Sequence, residues 1–446
     1  MNEHNPIAFA ISLLQEKWRN SVKDTDYQFV RWVIEKENID IFKGFLKLES
    51  TPHGSLEETF IVMFTPFESP YNFAYALAND WLEIFENEMQ RGTLPQWEDF
   101  SDLKEEFKTL SPEANYEGED IKFFIKLLKS FKQYEGKKSK LVVGLMPYAV
   151  TDNKQYSKWL NDMLTQLSKN LAVMTVDYTG QETQERLFGK DTPERISILA
   201  KNLYDANGIY RQLATAGNPD DPQVVFRTCM FEMGEAAKND NKQGVYNWGD
   251  KALIAAQGSG DKLFWASAHI VYAGFLFGFK DTDKIEKLIE NGTRICEQLL
   301  TDETKKLAAA GLLAQFYGYK AAYLNIQKKY KESISYFEQQ ADILIDNDQS
   351  VLSIGAFQNA LLVAAKHQSG KIQEIADKGF AAGYPLEDEL LRTSGFPVIA
   401  YYYLKYSSPA DDLRKEIESR MAYLYTEEWQ RNAKKNLAIA PEEYVS

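Results

Sequence analysis

Apolar and polar residues in the second half of the chain follow a helical period, in paired stretches. Between about Asp221 and Tyr425, apolar side chains recur every three to four residues, and Gly, Asn or Asp separates one stretch from the next. This spacing indicates amphipathic helices that pair as antiparallel hairpins. The pairs begin roughly 40 residues apart, which is within the range of helical repeat proteins. The pattern therefore predicts an all-α solenoid, an architecture that presents an extended binding surface.

The first half of the chain alternates short apolar runs with helical stretches. Runs rich in β-branched and aromatic residues predict strands at Tyr27–Ile34, Glu58–Phe67, Lys140–Tyr148 and Leu171–Tyr178. Within the second run, Ile61–Phe64 is continuously apolar, which is typical of a strand buried on both faces. Helices with short connections between such strands indicate βαβ units and a parallel sheet.

Strand signals end at about Thr192, and we expect the domain change soon after. Residues 193–217 predict one helix, and Gly217–Pro222, with its Gly, Pro and Asp residues, indicates a linker. The sequence therefore predicts an α/β domain with a small parallel sheet over residues 1–190. A connecting helix and linker follow over 191–220, and a helical repeat domain occupies 221–446.

The composition is that of a globular protein with an acidic balance. Charged residues make up 26% of the 446 residues, and the formal net charge is −14. Such a chain lacks the basic field that phosphate backbones need, so we expect no nucleic-acid partner. No stretch reaches the roughly 18 to 20 apolar residues of a membrane span, and the N-terminus lacks a signal-peptide pattern. We therefore expect no membrane association and a cytoplasmic location.

Charge is clustered in two neighbouring segments of the first half. Between Asp80 and Asp120, 13 acidic residues accompany three basic ones, whereas between Lys122 and Lys140 seven lysines accompany one glutamate. The lysines at 122, 126 and 129 follow helical spacing. They form either a solvated helix face or a contact patch for an acidic partner.

One helix pair has the residue pattern of a known repeat. In Phe316–Leu344, large and small residues alternate at the positions Tyr317, Ala321, Leu324, Tyr330, Ser333 and Phe337. The segment resembles a tetratricopeptide repeat (TPR), in which small residues on one helix admit an aromatic side chain of its neighbour. It departs from that pattern at Lys320, where Leu is usual, and at Gln340, where Ala is usual. Residues 231–257 are a weaker second copy, with Gly234 at a small position.

A second resemblance concerns the α/β domain. The strand–loop–helix order around Thr65–Tyr71, with later strands that lead to Asp152 and Asp177, is similar to the nucleotide-binding domain of signalling NTPases that carry helical repeats. A phosphate loop needs glycines and a lysine, and Thr65–Tyr71 contains neither. The resemblance therefore implies a degenerate, P-loop-like domain, and we expect no bound nucleotide and no other cofactor.

No residue pattern of a known catalytic or metal site is present. Cys229 and Cys296 lie in apolar helical stretches and are expected to be buried thiols. The histidines, at positions 4, 53, 269 and 367, lack the spacing of metal ligands, and His269 is expected to be a hydrogen-bonded core residue. The segment Gly244–Lys251 has Asp250 where a P-loop has lysine. We therefore expect a protein that is not an enzyme.

The remaining candidates are aromatic residues of the predicted array. Tyrosines can be part of the helical core or line the binding groove, where they supply contact area and a hydroxyl. The candidate partner-binding set is Tyr317, Tyr319, Tyr323, Tyr401, Tyr402 and Tyr403.

The function that this arrangement predicts is a non-enzymatic adaptor, chaperone or assembly factor with a protein partner. An α/β domain followed by a TPR-like array resembles uncharacterised bacterial proteins of secretion and contractile-injection gene clusters, such as type VI systems. That resemblance implies a role with effectors or spike components. A signalling NTPase with an altered nucleotide pocket and an enzyme without a recognisable motif are the alternatives.

Overall fold

The computed structural model describes residues 5–92, 96–110, 118–189, 192–392, 394–425 and 428–436. The chain divides into two compact units, Met1–Leu213 and Ala214–Ser446. His4 and two parts of the acidic segment, 93–95 and 111–117, lie outside the described residues.

The first unit is built on a parallel sheet. Its strands, as far as the structure describes the chain, are β1 (Phe29–Ile34), β2 (Thr59–Met63), β3 (Leu141–Leu145), β4 (Leu171–Tyr178) and β5 (Arg195–Leu199). Their order across the sheet is β2-β3-β4-β1-β5, and all neighbours are parallel. The predicted α/β fold class with a small parallel sheet is confirmed.

Helices cover both faces of this sheet. They are α1 (Pro6–Val22), α2 (Ile39–Glu49), α3 (Phe73–Gln90), α4 (Phe100–Lys108), α5 (Glu119–Glu135), α6 (Asn153–Leu164) and α7 (Ala206–Thr215). One core contains α3, α4, α5 and α6 and the sheet face of Val143 and Val173. The other contains α1 and α2 and the opposite face, with Val142 and Met174. This alternation along each strand is the period of two expected for a sheet with helices on both sides.

Two predictions about the first unit need correction. The helix predicted over 193–217 is wrong in its first part, because Arg195–Leu199 forms β5 and α7 begins at Ala206. A run of five residues has too few positions to separate a strand from a helical turn, and pairing with β1 decides it. The run Ile61–Phe64 was expected to be buried on both faces, but β2 is an edge strand in which Ile61 and Val62 are only partly buried.

The second unit is helical in every segment that the structure assigns. Its helices are α8 (Pro222–Lys238), α9 (Lys242–Gly258), α10 (Lys262–Leu276), α11 (Thr282–Leu299), α12 (Lys306–Ile326), α13 (Tyr330–Ile345), α14 (Ser350–His367), α15 (Ile372–Gly383), α16 (Asp388–Arg392), α17 (Phe396–Tyr406), α18 (Asp411–Leu424) and α19 (Trp429–Asn436). Successive helices pair, α8 with α9, α10 with α11, α12 with α13 and α14 with α15. The predicted TPR-like solenoid is confirmed.

Regularly spaced capping residues determine where helices α8 to α11 begin. The side-chain oxygens of Asp221, Asn241, Asp261 and Asp281 each accept a hydrogen bond from a backbone N–H in the first turn of the helix that follows. Such caps satisfy amide groups that have no partner within the helix. Their even spacing along the chain therefore produces helices of similar length, which can stack as repeats.

The TPR-like register holds in the best-matched pair. Ala321 and Ser333 are fully buried, and the Ser333 hydroxyl donates to the backbone oxygen of Ala321 at 2.8 Å. Lys320, at a position where the repeat usually has Leu, is also buried and forms an ion pair with Glu286 of the neighbouring helix α11. The charge at this apolar position is therefore compensated within the array.

One helix has an unusually apolar composition. Lys262–Phe279, which is α10 and its short 3-10 extension, has the length and mean hydropathy (1.2) of a helix that could cross a membrane, and it alone does so among the described helices. The prediction that no stretch has this character is wrong for α10. The same composition suits the centre of an array, and α8, α9, α11 and α12 all pack against α10.

Candidate functional site

Polar side chains interrupt the apolar sheet at the carboxyl end of β4. Thr175 and Asp177 lie on the face of the sheet that α6 covers, and Arg31 is opposite Thr175 on β1. Their exposed fractions are only 1%, 3% and 6%, respectively. Polar groups this deeply buried need partners, because desolvation of an unpaired group costs free energy.

The carboxylate of Asp177 has a full set of partners. It accepts the backbone N–H groups of Thr183 at 3.1 Å and Gln184 at 3.0 Å, and the Thr183 hydroxyl at 2.9 Å. The Arg31 guanidinium donates to it at 3.5 Å and also contacts the Phe188 ring, 4.5 Å from the centroid. Asp177 therefore holds the loop after β4 against the sheet, a structural role that leaves it poorly suited to bind a metal.

A cavity of about 840 Å³ lies beside this group, at the carboxyl edge of the sheet. The ends of β3 and β4, the start of α6, the loop after β4 and one side of α2 line it. Carboxyl edges of parallel strands are the usual ligand-binding position in open α/β sheets. Its volume is in the range of small-ligand sites.

Two buried hydroxyl groups in the cavity wall have no hydrogen-bond partner among the residues that the structure describes. They are Tyr156 Oη, at the first turns of α6, and Thr175 Oγ1. Burial, and secondarily the charge of Asp177, raise the pKa of Tyr156 far above its ordinary value, so the phenol stays protonated. A protonated phenol and a threonine hydroxyl can each donate and accept a hydrogen bond, so the cavity offers polar contacts that the protein itself does not use.

The charges around the cavity nearly cancel. Lys43 on α2 and Glu182 in the loop after β4 both line it. Hydrogen bonds from the Gly180 and Glu182 backbone N–H groups hold the pKa of the Glu182 carboxyl below its usual range. Within the described residues, no group of three or more His, Cys, Asp or Glu is placed to hold a metal ion. The arrangement favours a neutral ligand.

The predicted nucleotide positions do not form a phosphate site. Phe67 in the Thr65–Tyr71 segment is buried and bridges to Val150, and the Thr65 hydroxyl donates to Asp80 at 2.6 Å. The Asp152 carboxylate caps α6 by accepting the backbone N–H groups of Gln155 and Lys154, which lowers the pKa of Asp152 below its ordinary value. Thr65, Phe67 and Asp152 therefore have partners within the domain. Their hydrogen bonds are not those of a phosphate loop, in which backbone N–H groups converge on a phosphate.

In the second unit, the first helices of three successive pairs each have an uncharged, solvent-accessible side. No Asp, Glu, Lys or Arg occurs in 263–279 of α10 and its extension or in 351–365 of α14, and 307–326 of α12 contains only the buried Lys320. The second helices differ, since α11 and α13 are rich in charged residues. We call the solvent-accessible side of the three first helices the neutral face; it comprises Ser267, Val271, Gly274, Leu312, Gln315, Tyr319, Ala322, Ile326, Leu352, Gly355, Asn359 and Leu362.

The neutral face lies on the side where first helices meet. Helix α10 contacts α8 and α12, and α14 contacts α17, whereas no comparably extensive contact joins second helices in the described residues. When the first helices of successive pairs contact one another, they lie on the inner side of the solenoid, which is the usual binding surface. Tyr319 illustrates the position, because its ring is 5.5 Å from that of Phe277 and its hydroxyl is close to Gly274 of α10.

The six tyrosines predicted from the sequence do not form one surface. Tyr319 is exposed on the neutral face, but Tyr323 and Tyr402 are buried. Tyr317 packs against Tyr336 of α13, and Tyr403 stacks on Phe380 of α15 at 3.9 Å. Tyr401 is partly buried against the last core. The partner-binding role of the set stays a prediction, and its buried members can act only through packing.

Sequence reasoning did not find Tyr156 and Thr175 at the cavity, Arg31 paired with Asp177 beside it, or the uncharged side of α10, α12 and α14. The signals were present. A charged residue within the apolar run Phe29–Ile34 and polar residues at the end of Leu171–Tyr178 are both unexpected in a buried strand. The long intervals without charge were visible too, but only the structure places them on one surface.

Comparisons with known proteins add little to this description. No protein-family model matches the chain, and no curated protein matches its sequence. Among solved structures, the chain is similar to a signal transduction ATPase with numerous domains (STAND) that carries a tetratricopeptide repeat sensor, from Pyrococcus horikoshii. The match spans 92% of this chain and 85% of that one, with 10% identity and a TM-score of 0.25. A likeness at this level carries no argument, so the fold class rests on the strands and helices themselves.

Proposed function

We propose that this chain is a non-enzymatic adaptor, chaperone or assembly factor that holds a largely uncharged polypeptide segment on its neutral face. The observation that carries the proposal is the absence of charge from the solvent-accessible side of α10, α12 and α14, in a chain whose net charge is −14. The cores of protein interfaces are depleted in charged residues. A surface kept free of charge over three helices is therefore suited to a partner.

Exposed apolar side chains on the same helices support this proposal. Ile326 on α12 is 60% exposed and Leu352 on α14 is 61% exposed. Covering such groups removes apolar surface from water, which stabilises a complex by about 25 cal/mol per Å² before the costs of association. The glycine at 355 has nothing within 4 Å of a β-carbon position, so a partner backbone can approach closely there.

A photo-crosslinking experiment in the native host tests this function. The crosslinking amino acid p-benzoylphenylalanine replaces Tyr319 on the neutral face or, as the matched control, Tyr423, which is 71% exposed on α18. We expect a polypeptide to be captured from position 319 and not from 423. Capture from 423 alone, or from neither position, would contradict the proposal.

A charge placed on the neutral face tests the same idea by affinity. Ile326→Asp should weaken binding of the captured polypeptide by at least about tenfold, since a carboxylate must be desolvated at the contact. Ile254→Asp is the matched control, because Ile254 is 71% exposed but lies on the second helix α9. Calorimetric titration of both variants separates a local effect from a general one. Equal affinities of the Ile326→Asp and Ile254→Asp variants would contradict binding on the neutral face.

The identity of the captured polypeptide also tests the finer parts of the proposal. A component of a secretion or contractile injection system would support that resemblance, and a client that is released once folded would favour a chaperone role. The NTPase alternative predicts heat on titration with ATP and Mg²⁺. We expect none, because the predicted phosphate loop, Thr65–Tyr71, has no glycine or lysine.

A further inference from the structure

Strands β3 and β4 separate before they reach the carboxyl edge of the sheet. Their pairing ends at Gly144 with Met174, whereas β4 stays paired with β1 up to Ile34 with Tyr178. Beyond Gly144 the chain follows β2 instead, since Met146 N–H donates to the Met63 oxygen at 2.9 Å. A cleft therefore opens between β3 and the last four residues of β4, and this cleft is the cavity of about 840 Å³.

The side of β4 that borders the cleft has unpaired backbone groups. The N–H groups of Val173 and Thr179 donate to oxygens on the β1 side. Backbone groups alternate sides along a strand, so those of Val176 point into the cleft, where β3 no longer pairs with them. No hydrogen bond to a described residue outside the sheet engages the Val176 backbone. The Tyr178 backbone has the same direction, but the loop after β4 already pairs with it, since the Gln181 N–H donates to the Tyr178 oxygen at 2.9 Å.

A second, independent observation concerns side chains. Tyr156 and Thr175 line the same cavity and are 3% and 1% exposed, and within the described part of the chain their hydroxyl groups have no hydrogen-bond partner. Unsatisfied buried hydroxyls are rare, because each costs free energy that a partner would recover. Their position beside the free strand edge indicates that a ligand completes both sets of hydrogen bonds.

We propose that the cleft binds a short extended peptide, which adds to the free edge of β4 as a strand. Main-chain amides of an extended peptide offer a donor and an acceptor at every second residue, and one such residue would pair with the free N–H and C=O of Val176. The part of β4 that borders the cleft, Thr175–Tyr178, spans about 13 Å at about 3.3 Å per residue, which is room for about four peptide residues. The site is separate from the neutral face and does not depend on the function proposed for it.

The chemistry of the walls defines the peptide class. Arg31 neutralises Asp177 behind the cleft, and Lys43 and Glu182 balance each other at its mouth, so an uncharged peptide is favoured. Phe64 and Tyr148, 47% and 78% exposed, lie at the rim and provide apolar contact for its side chains. Alternate side chains of the bound peptide would then point toward the Tyr156 and Thr175 hydroxyls.

Selection from a phage-displayed library of random heptapeptides on the full chain tests this site. Enriched sequences are synthesised and titrated by fluorescence anisotropy. We expect binders of micromolar affinity. Their affinity should fall at least tenfold with Val176→Pro, because this variant removes an N–H that no neighbouring strand uses. It should also fall with Thr175→Val and Tyr156→Phe, which remove the two hydroxyl groups. Tyr423→Ala, at an exposed position of α18 outside both surfaces, is the control and should leave the affinity unchanged. Tyr319→Ala reports any peptide that binds on the neutral face instead.

N-methylation of the peptide provides a test that does not require a protein variant. Methyl groups on alternate amides should weaken binding to the unmodified protein more than methyl groups on the intervening ones, because strand addition uses every second residue. Near-ultraviolet circular dichroism checks that Val176→Pro is folded. Failure to enrich any peptide, loss of affinity with Tyr319→Ala alone, or insensitivity to both methylation and the cleft variants would overturn the proposal.

Discussion

The ring of Phe316 occupies the space beside Gly292 that a β-carbon would fill. A β-carbon built on Gly292 of α11 would lie 2.0 Å from Cζ of Phe316 on α12. Gly249 has the same relationship to Tyr272, at 2.3 Å from its ring. These contacts join neighbouring helices of the array, and they let the backbones approach closely because an aromatic ring fits over a residue without a side chain.

Gly292→Ala should therefore destabilise the protein. Overpacking typically costs about 1–3 kcal/mol, although alanine by itself favours a helix over glycine by about 1 kcal/mol. We expect a net decrease in the free energy of unfolding, measured by urea denaturation. Gly355→Ala on α14 is the control, since nothing lies within 4 Å of its β-carbon position, and it should stabilise by about 0.5–1 kcal/mol. Shifts of the same sign would contradict this packing.

Loss of the Asp177 charge should destabilise the first unit strongly. Asp177→Asn leaves the buried Arg31 without its counter-ion, and removal of one partner from a buried pair typically costs about 3–5 kcal/mol. Thermal unfolding followed by circular dichroism measures the effect. Asp26→Asn, at the exposed ion pair with Lys140, is the control and should barely move the melting temperature. Similar melting temperatures for the two variants would show that the Arg31–Asp177 pair contributes little to stability.

His269 should make stability depend on pH between about 4 and 6.5. Burial, and then the charge of Lys284, lower the pKa of His269 from 6.5 to about 4, and neither ring nitrogen has a hydrogen-bond partner in the described structure. The expected hydrogen-bonded core histidine is thus buried but unpaired. Since the unfolded state binds the proton more readily, stability is fully present above pH 6.5 and falls toward pH 4, by up to about 3 kcal/mol.

The variant His269→Leu tests this pH dependence. Urea unfolding at several pH values between 4 and 8 should give a flatter profile for His269→Leu than for the unmodified protein. His53→Gln, in an exposed turn, should keep the original profile. If His269→Leu and the unmodified protein lose stability in parallel as the pH falls, the dependence comes from other groups.

The two cysteines should be unreactive while the protein is folded. Cys229 and Cys296 are fully buried, as the sequence predicted. Burial raises the pKa of both thiols, that of Cys296 to about 12. Because the thiolate is the reactive form, Ellman's reagent should label neither thiol in native buffer and both in guanidinium chloride. Rapid labelling of the native protein would mean that this part of the array opens readily.

The helical repeats and most of the sheet follow from local sequence patterns. Apolar residues at helical spacing, with capping residues such as Asp221 and Asp261, specify helices of similar length without any long-range information. Long β-branched runs such as Leu171–Tyr178 specify buried strands in the same way. The register around Ala321 was also predictable, because close helix packing needs a small residue at that position.

Tertiary structure alone decided which residues meet. Arg195–Leu199 is a strand because β1 offers it an edge, and five residues contain no such information by themselves. The cleft exists because β3 leaves β4 after Gly144 to follow β2, which brings Tyr156 and Thr175 to one cavity from separate elements. The neutral face likewise depends on the contact of first helices with each other.

Local patterns determine the kind of each element, because propensity and burial act over a few neighbours. The position of a site depends on pairings between residues far apart in the chain, which those patterns do not specify.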